Sequence, residues 1–152
     1  MRTKEQIEEL VVSAFGEFAS KKANLTTVIS WQRRDFFVKR LRVIFNDLRL
    51  PYSLRANNLK EFSEAVFAEE LKKQEFFEKV RCRINEIAKK NYASDSVILE
   101  GEEVNSLNFF FDFSKILNPL IKEFKYSTDY SVMRQCRTPY QLADMFYRRG
   151  RF

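Results

Sequence analysis

The sequence predicts an α+β domain that is predominantly α-helical, with about four N-terminal helices, a Phe-rich β-hairpin and one or two short C-terminal helices. Three observations lead there. Through the first ninety or so residues, apolar side chains recur at i, i+3 and i+4, the spacing that lays one stripe along a helix. Between Leu107 and Phe113 the period drops to two: Leu107, Phe109, Phe111 and Phe113 alternate with Asn108, Phe110 and Asp112, the pattern of a half-buried strand. Only 3 Gly and 3 Pro in 152 residues leave too few turn residues for a β-sandwich or barrel. The length fits a single domain, 1–152, and 45% hydrophobic residues with 16 Phe supply the burial of a folded chain.

The first helix opens on Thr3 and Gln6, spaced as a capping box, and carries Ile7, Leu10, Val11, Ala14, Phe15 and Phe18 on one side. It is expected to stop near Ala23-Asn24. Leu25 to Ile29, rich in β-branched residues, leads into a central helix from Ser30 to Leu50, with Ser30 as N-cap and Pro51 as the stop. One side of that helix holds Phe37, Val38, Leu41, Ile44, Phe45 and Leu48. The opposite side holds Phe36 and Val43 with Lys39 and Arg40 between them, so the helix is apolar on two faces.

A third helix begins at Asn58-Glu61, a variant capping box, with Leu59, Phe62 and Val66 as its stripe. The apolar phase shifts at Lys72-Lys73-Gln74, which predicts a kink or break. A fourth helix follows over about Glu75 to Asn91, with Phe76, Phe77, Val80, Ile84, Ile87 and Ala88 on one face. Val97-Ile98-Leu99 and Leu107–Phe113 then form the hairpin across Gly101-Glu102. Asn118-Pro119 reads as N-cap and first helical position of a short helix to Phe124, and Thr138-Pro139-Tyr140-Gln141 as the start of a last helix closed by Gly150.

The net charge of +6 is unevenly spread. Residues 30–56 hold seven cations against two carboxylates and residues 132–152 five against one, whereas 94–131 hold seven carboxylates against three cations; residues 1–29 balance. No apolar run approaches the roughly 20 residues that cross a bilayer, and the N-terminus enters an amphipathic helix rather than a signal core. Cys82 and Cys136 form no CxxC or zinc spacing and read as reduced thiols, so the expected location is cytoplasmic, without membrane contact. On that expectation Asn24-Leu25-Thr26 is a chance glycosylation sequon.

The chain has no histidine, which removes Ser-His-Asp and Cys-His catalysis and histidine metal sites. Gly16, Gly101 and Gly150 stand alone, so there is no phosphate-binding glycine loop. Asp112 followed by Glu123-Phe124-Lys125 has the order of a metal-dependent nuclease motif, but its second half falls in a predicted helix instead of a strand, and the acidic group Glu100, Glu102 and Glu103 reads as a solvated turn. The expectation is a protein that is not an enzyme, with no cofactor, metal or small-molecule substrate.

What remains is binding. The leading expectation is a protein–protein interaction or structural subunit of a larger assembly, such as a phage, secretion or effector complex, or a homo-oligomer. Phe36, Arg40, Val43, Phe110, Arg148 and Phe152 are its partner-binding residues, because apolar and Arg side chains on polar faces have the composition of interface anchors. The alternative is nucleic-acid binding by Arg33, Arg34, Lys39, Arg40 and Arg42 of the central helix, with Trp31 and Phe36 interleaved for stacking, and by Arg149 and Arg151 of the tail.

Overall fold

A computed structural model of the protein describes residues 1–92, 113–124, 135–136 and 138–149. Among them lie five helices: α1 (Lys4–Ala19), α2 (Trp31–Ile44), α3 (Leu59–Tyr92), α4 (Phe113–Glu123) and α5 (Pro139–Arg149). The chain divides into two compact units, residues 1–74 and 75–152.

In the first unit, three helices meet at one ring. Phe37 of α2 packs edge-on against Phe15 of α1 at 5.3 Å and against Phe62 of α3 at 5.3 Å. Each such pair adds about 0.5–1.5 kcal/mol to the stabilisation from burial itself. Ile7, Val11, Val38, Leu41, Leu59 and Val66 complete this core. The β-branched Leu25–Ile29 segment starts in a turn at Leu25-Thr26, closed by Thr27 N donating to Asn24 O, and then forms a single antiparallel bridge, Val28 to Asn58, with Ile29 N donating to Asn57 O and Leu59 N to Thr27 O. Both capping motifs of this unit form. Thr3 and Gln6 make the reciprocal pair, and Asn58 Oδ1 accepts from Glu61 N while Glu61 Oε2 accepts from Asn57 N.

Several predicted boundaries move, each for a physical reason. α1 ends at Ala19 rather than Ala23-Asn24, because Ser20 adopts the left-handed conformation (φ 53°) and the next amide, Lys21 N, donates back to Gly16 O. α2 ends at Ile44, short of Leu50. Its last turn is replaced by an irregular bend that buries Phe45, Leu48 and Leu50 and delivers Asp47 to a cluster of ions. There Arg2 Nη2 donates to Asp47 Oδ1 at 2.6 Å, Arg2 Nη1 to Glu70 Oε2 at 3.1 Å, and Lys73 Nζ to Asp47 Oδ2 at 3.2 Å. Arg2 also donates its backbone N–H to Glu70 Oε1. Burial alone raises the Asp47 pKa, but the hydrogen bonds from Arg2 and Lys73 outweigh it and lower the value from 3.8 to about 2.

The same cluster explains why the helix runs without a break through residues 72–74 and why the third and fourth predicted helices are one. Core-facing positions of α3 run 59, 62, 66, 70, 73, 77, 80, 84 and 87, in steps of three and four without interruption. Two of them are Glu70 and Lys73, with side chains only 6% and 9% exposed. The stripe does not change phase; it carries ions for one turn.

The second unit packs Phe77, Val80, Ile84 and Ile87 of α3 against Leu117, Leu120 and Phe124 of α4 and Leu142, Met145 and Phe146 of α5. Phe124 stands edge-on to Phe76 at 5.3 Å and beside Phe146 at 5.5 Å, and Arg83 Nε donates to Glu123 Oε2 at 2.7 Å. α5 starts as predicted, with Thr138 Oγ1 accepting from Gln141 N at 3.1 Å. α4 does not. It begins at Phe113, and Pro119, expected at its first position, lies inside, where the ring removes the bond that would reach the Lys115 carbonyl.

The α+β class is therefore corrected: the described residues contain helices and one isolated bridge, and no strand. Phe113, expected as the last strand residue, is the first of a helix, because it continues the helical spacing of Leu117, Leu120 and Phe124 rather than the alternation before it. The rest of the predicted hairpin, with Glu100, Glu102, Glu103, Phe110 and Asp112, lies outside the described residues, as do Lys125 and Gly150.

Candidate interaction surface

The outer side of α2 is set by what its inner side does. Phe37, Val38 and Leu41 are fully buried, so Phe36 and Val43, on the other side of the wheel, face outward. Phe36 is 62% exposed and Val43 67% exposed. Seven residues apart, they stand about 10.5 Å from each other along the axis. Lys39 and Arg40 occupy the turn between them. The Lys39 ammonium lies 5.6 Å from the Phe36 ring centroid, and Arg40 Nη2 approaches Glu17 Oε2 at 3.6 Å, both exposed contacts of little energetic weight. Arg33, one turn before Phe36, is exposed on the same side. Ser30 occupies the N-cap position, but its side chain makes no capping bond; its carbonyl accepts from Arg33 N and Arg34 N.

The other two cations of the predicted basic set serve the fold. Arg34 Nη2 donates to Asn57 Oδ1 at 2.9 Å, and its Nε is buried without a hydrogen-bond partner. Arg42 Nη1 donates to the Leu50 carbonyl, and its guanidinium carbon sits 3.3 Å from the centroid of Tyr52. Both hold the segments that flank α2 in place. In the second unit Arg148 Nε pairs with Asp144 at 3.0 Å and Arg149 is exposed at the end of α5. Of the sequence-predicted residues, Phe36, Arg40, Val43, Arg33 and Lys39 thus share one helix side, Arg34 and Arg42 do not, and Phe110, Arg151 and Phe152 lie outside the described residues.

Sequence reasoning missed a second surface in the same unit. Glu5, Glu8, Glu9, Val12 and Ser13 of α1 and Ala23, Asn24 and Leu25 of the following loop line an open groove of about 560 Å³. Its rim is acidic and its floor, from Val12, Ala23 and Leu25, is apolar and half-buried. The loop wall is rigidly built: Asn24 Oδ1 accepts from Thr26 N at 2.9 Å and from Thr26 Oγ1 at 2.6 Å, Asn24 N donates to Thr27 Oγ1 at 2.9 Å, and Leu25 O accepts from Lys60 N. The signal for it lay in the spacing of Glu5, Glu8 and Glu9 around Val12 on one side of α1.

Cys82 is exposed, whereas Cys136 is half-buried beside Met145, with Sγ 3.8 Å from Sδ. Burial, and to a lesser extent Asp144, pushes the Cys136 thiol above its ordinary range against a smaller opposing effect of Arg149. Glu123, the second carboxylate of the nuclease-like pattern, ends a helix and is held by Arg83. Among the described residues no group of three or more Cys, Asp or Glu could hold a metal ion, and no helix is long and apolar enough to cross a membrane. Compared with protein-family models, curated proteins and solved structures, the chain matches none of them.

Proposed function

We propose that this protein is a non-enzymatic interaction subunit that binds a protein partner through the outer side of α2. One observation carries the reading: Phe36 and Val43 remain mostly in solvent on a helix whose opposite side is locked by the Phe37 ring cluster. Such a helix cannot rotate to hide them. Removing both from water supplies on the order of 2–4 kcal/mol, the scale of an interface anchor. Lys39, Arg40 and Arg33 beside them favour a partner surface that is acidic around an apolar centre.

The test places the photo-crosslinking residue p-benzoylphenylalanine at Val43 and, as a control, at the exposed Glu64 of α3. Irradiation should give a discrete protein adduct at position 43 that is absent at 64 and lost when Phe36→Asp is added. Equal adducts at both positions, or none at either, would refute the proposal. The nucleic-acid reading is an outcome of a parallel titration. With Arg34 and Arg42 engaged in the fold, the cations left on this side are Arg33, Lys39 and Arg40, so binding to DNA through it should fall with salt at a log–log slope of only about −3. A steeper slope together with unimpaired binding by Phe36→Asp would favour nucleic acid over protein.

A further inference from the structure

The outer side of α2 and the groove on α1 are complementary to each other. The first presents two apolar knobs about 10.5 Å apart among three cations; the second presents an apolar floor along about 12 Å of α1, from Glu5 to Ser13, rimmed by three carboxylates. The two surfaces share no residue, so one molecule offers both at once. Within one molecule Arg40 of α2 reaches Glu17, not Glu5, Glu8 or Glu9. We infer that the occupant of the α1 groove is the α2 ridge of a second copy of this chain, docked head to tail.

This rests on the reading of the α2 ridge as an interaction surface and names its partner. Phe36 and Val43 would lie over Val12, Ala23 and Leu25, with Arg33, Lys39 and Arg40 opposite Glu5, Glu8 and Glu9. The Asn24 turn holds the loop wall in place before binding, so little ordering is lost on docking. The exposed Arg40–Glu17 contact is weak enough to be exchanged. Because the two surfaces differ, the contact is heterologous: each copy that uses its ridge still has an open groove, and association continues into a ring or a chain instead of stopping at a symmetric dimer.

The experiment follows from that asymmetry. One variant, Phe36→Asp, loses the ridge and keeps the groove; another, Glu5→Lys/Glu9→Lys, loses the groove and keeps the ridge. Circular dichroism first establishes that both are folded. In sedimentation equilibrium from about 5 to 500 µM, the wild-type mass should climb past twice the monomer, and raising salt from about 0.05 to 0.5 M should weaken it severalfold. Each variant alone should associate at least about tenfold more weakly. Mixed in equal amounts, they should form a dimer and nothing larger, since only one intact ridge and one intact groove remain. A mixture that stays monomeric, or a groove variant that associates like wild type, overturns the inference. If wild type is monomeric throughout while the Val43 crosslink to another protein persists, the second copy is excluded and the interaction reading stands; if the crosslink is also absent, both fall.

Discussion

Replacing Asp47 by asparagine removes one charge from the Arg2–Asp47–Glu70–Lys73 cluster while keeping the shape of the side chain. In the folded protein Asp47 titrates at about 2, against 3.8 for the free group. At about 1.4 kcal/mol per unit that gap is worth at most about 2.5 kcal/mol. The side chain is 24% exposed, so solvent screens part of the attraction and about 1–2 kcal/mol is the expected contribution. The contribution is fully present above the unfolded pKa, where both states are ionised. It fades as the pH falls from 3.8 toward 2, because the unfolded chain takes up its proton first. Urea unfolding followed by far-UV circular dichroism should therefore show Asp47→Asn less stable by about 1–2 kcal/mol at pH 7, with the difference shrinking toward zero near pH 2. Acid destabilises both proteins through other carboxylates, and comparing them at each pH isolates Asp47. A difference of the same size at both ends of the range would refute the assignment, since it would mean that shape, not charge, holds the bend after α2.

Phe37→Ala removes the ring on which α1, α2 and α3 converge and should cost about 3–5 kcal/mol, read as loss of amide-exchange protection in α1 and α2. Ser20→Gly relieves a left-handed serine at the end of α1 and should raise stability by about 0.5–1 kcal/mol in the same urea assay. Glu70→Leu alone leaves Arg2 and Lys73 sharing the single carboxylate of Asp47 and should cost about 2–4 kcal/mol, whereas Glu70→Leu/Lys73→Leu, which leaves Arg2 and Asp47 as a neutral pair, should recover most of the loss. Cys82 should be alkylated by iodoacetamide at pH 8 before Cys136, whose thiol is partly covered and held protonated, as mass mapping of partially labelled protein would show.

Helical spacing made the covered sides of α1 and α2 legible, because Ile7, Val11, Phe15, Phe37 and Leu41 recur at the period of one face and are buried, whereas Leu10 and Phe18, expected on the same stripe of α1, are exposed at its margins. It failed at residues 72–74 because the reading assumed that a core-facing position must be apolar. Glu70 and Lys73 satisfy the period and not the polarity, and their partners, Arg2 and Asp47, are distant in sequence. Burial of an ion depends on an opposite charge arriving from elsewhere in the fold, which no local window contains. At Phe113 the alternation misled in the opposite way: a short aromatic run carries two periods at once, and this last residue of it follows the helical one.

The proposed interaction surface divides along the same line. The ridge was legible because a locked inner face dictates an exposed outer one, residue by residue, within a single helix. The groove was not, because one of its walls comes from Ala23 to Leu25, folded back by the Asn24 turn and tied to Lys60. Summing charge by segment also hid it. Residues 1–29 balance to zero, yet Glu5, Glu8 and Glu9 occupy one side of α1, while Arg2 is committed to Asp47 and Glu70. A neutral total is compatible with an acidic surface when most of the cations lie elsewhere, Arg2 ahead of α1 and Lys21 and Lys22 beyond its end. What a partner would meet on that side is the carboxylates themselves, since charges within about 10 Å act individually and only the distant field reflects their sum.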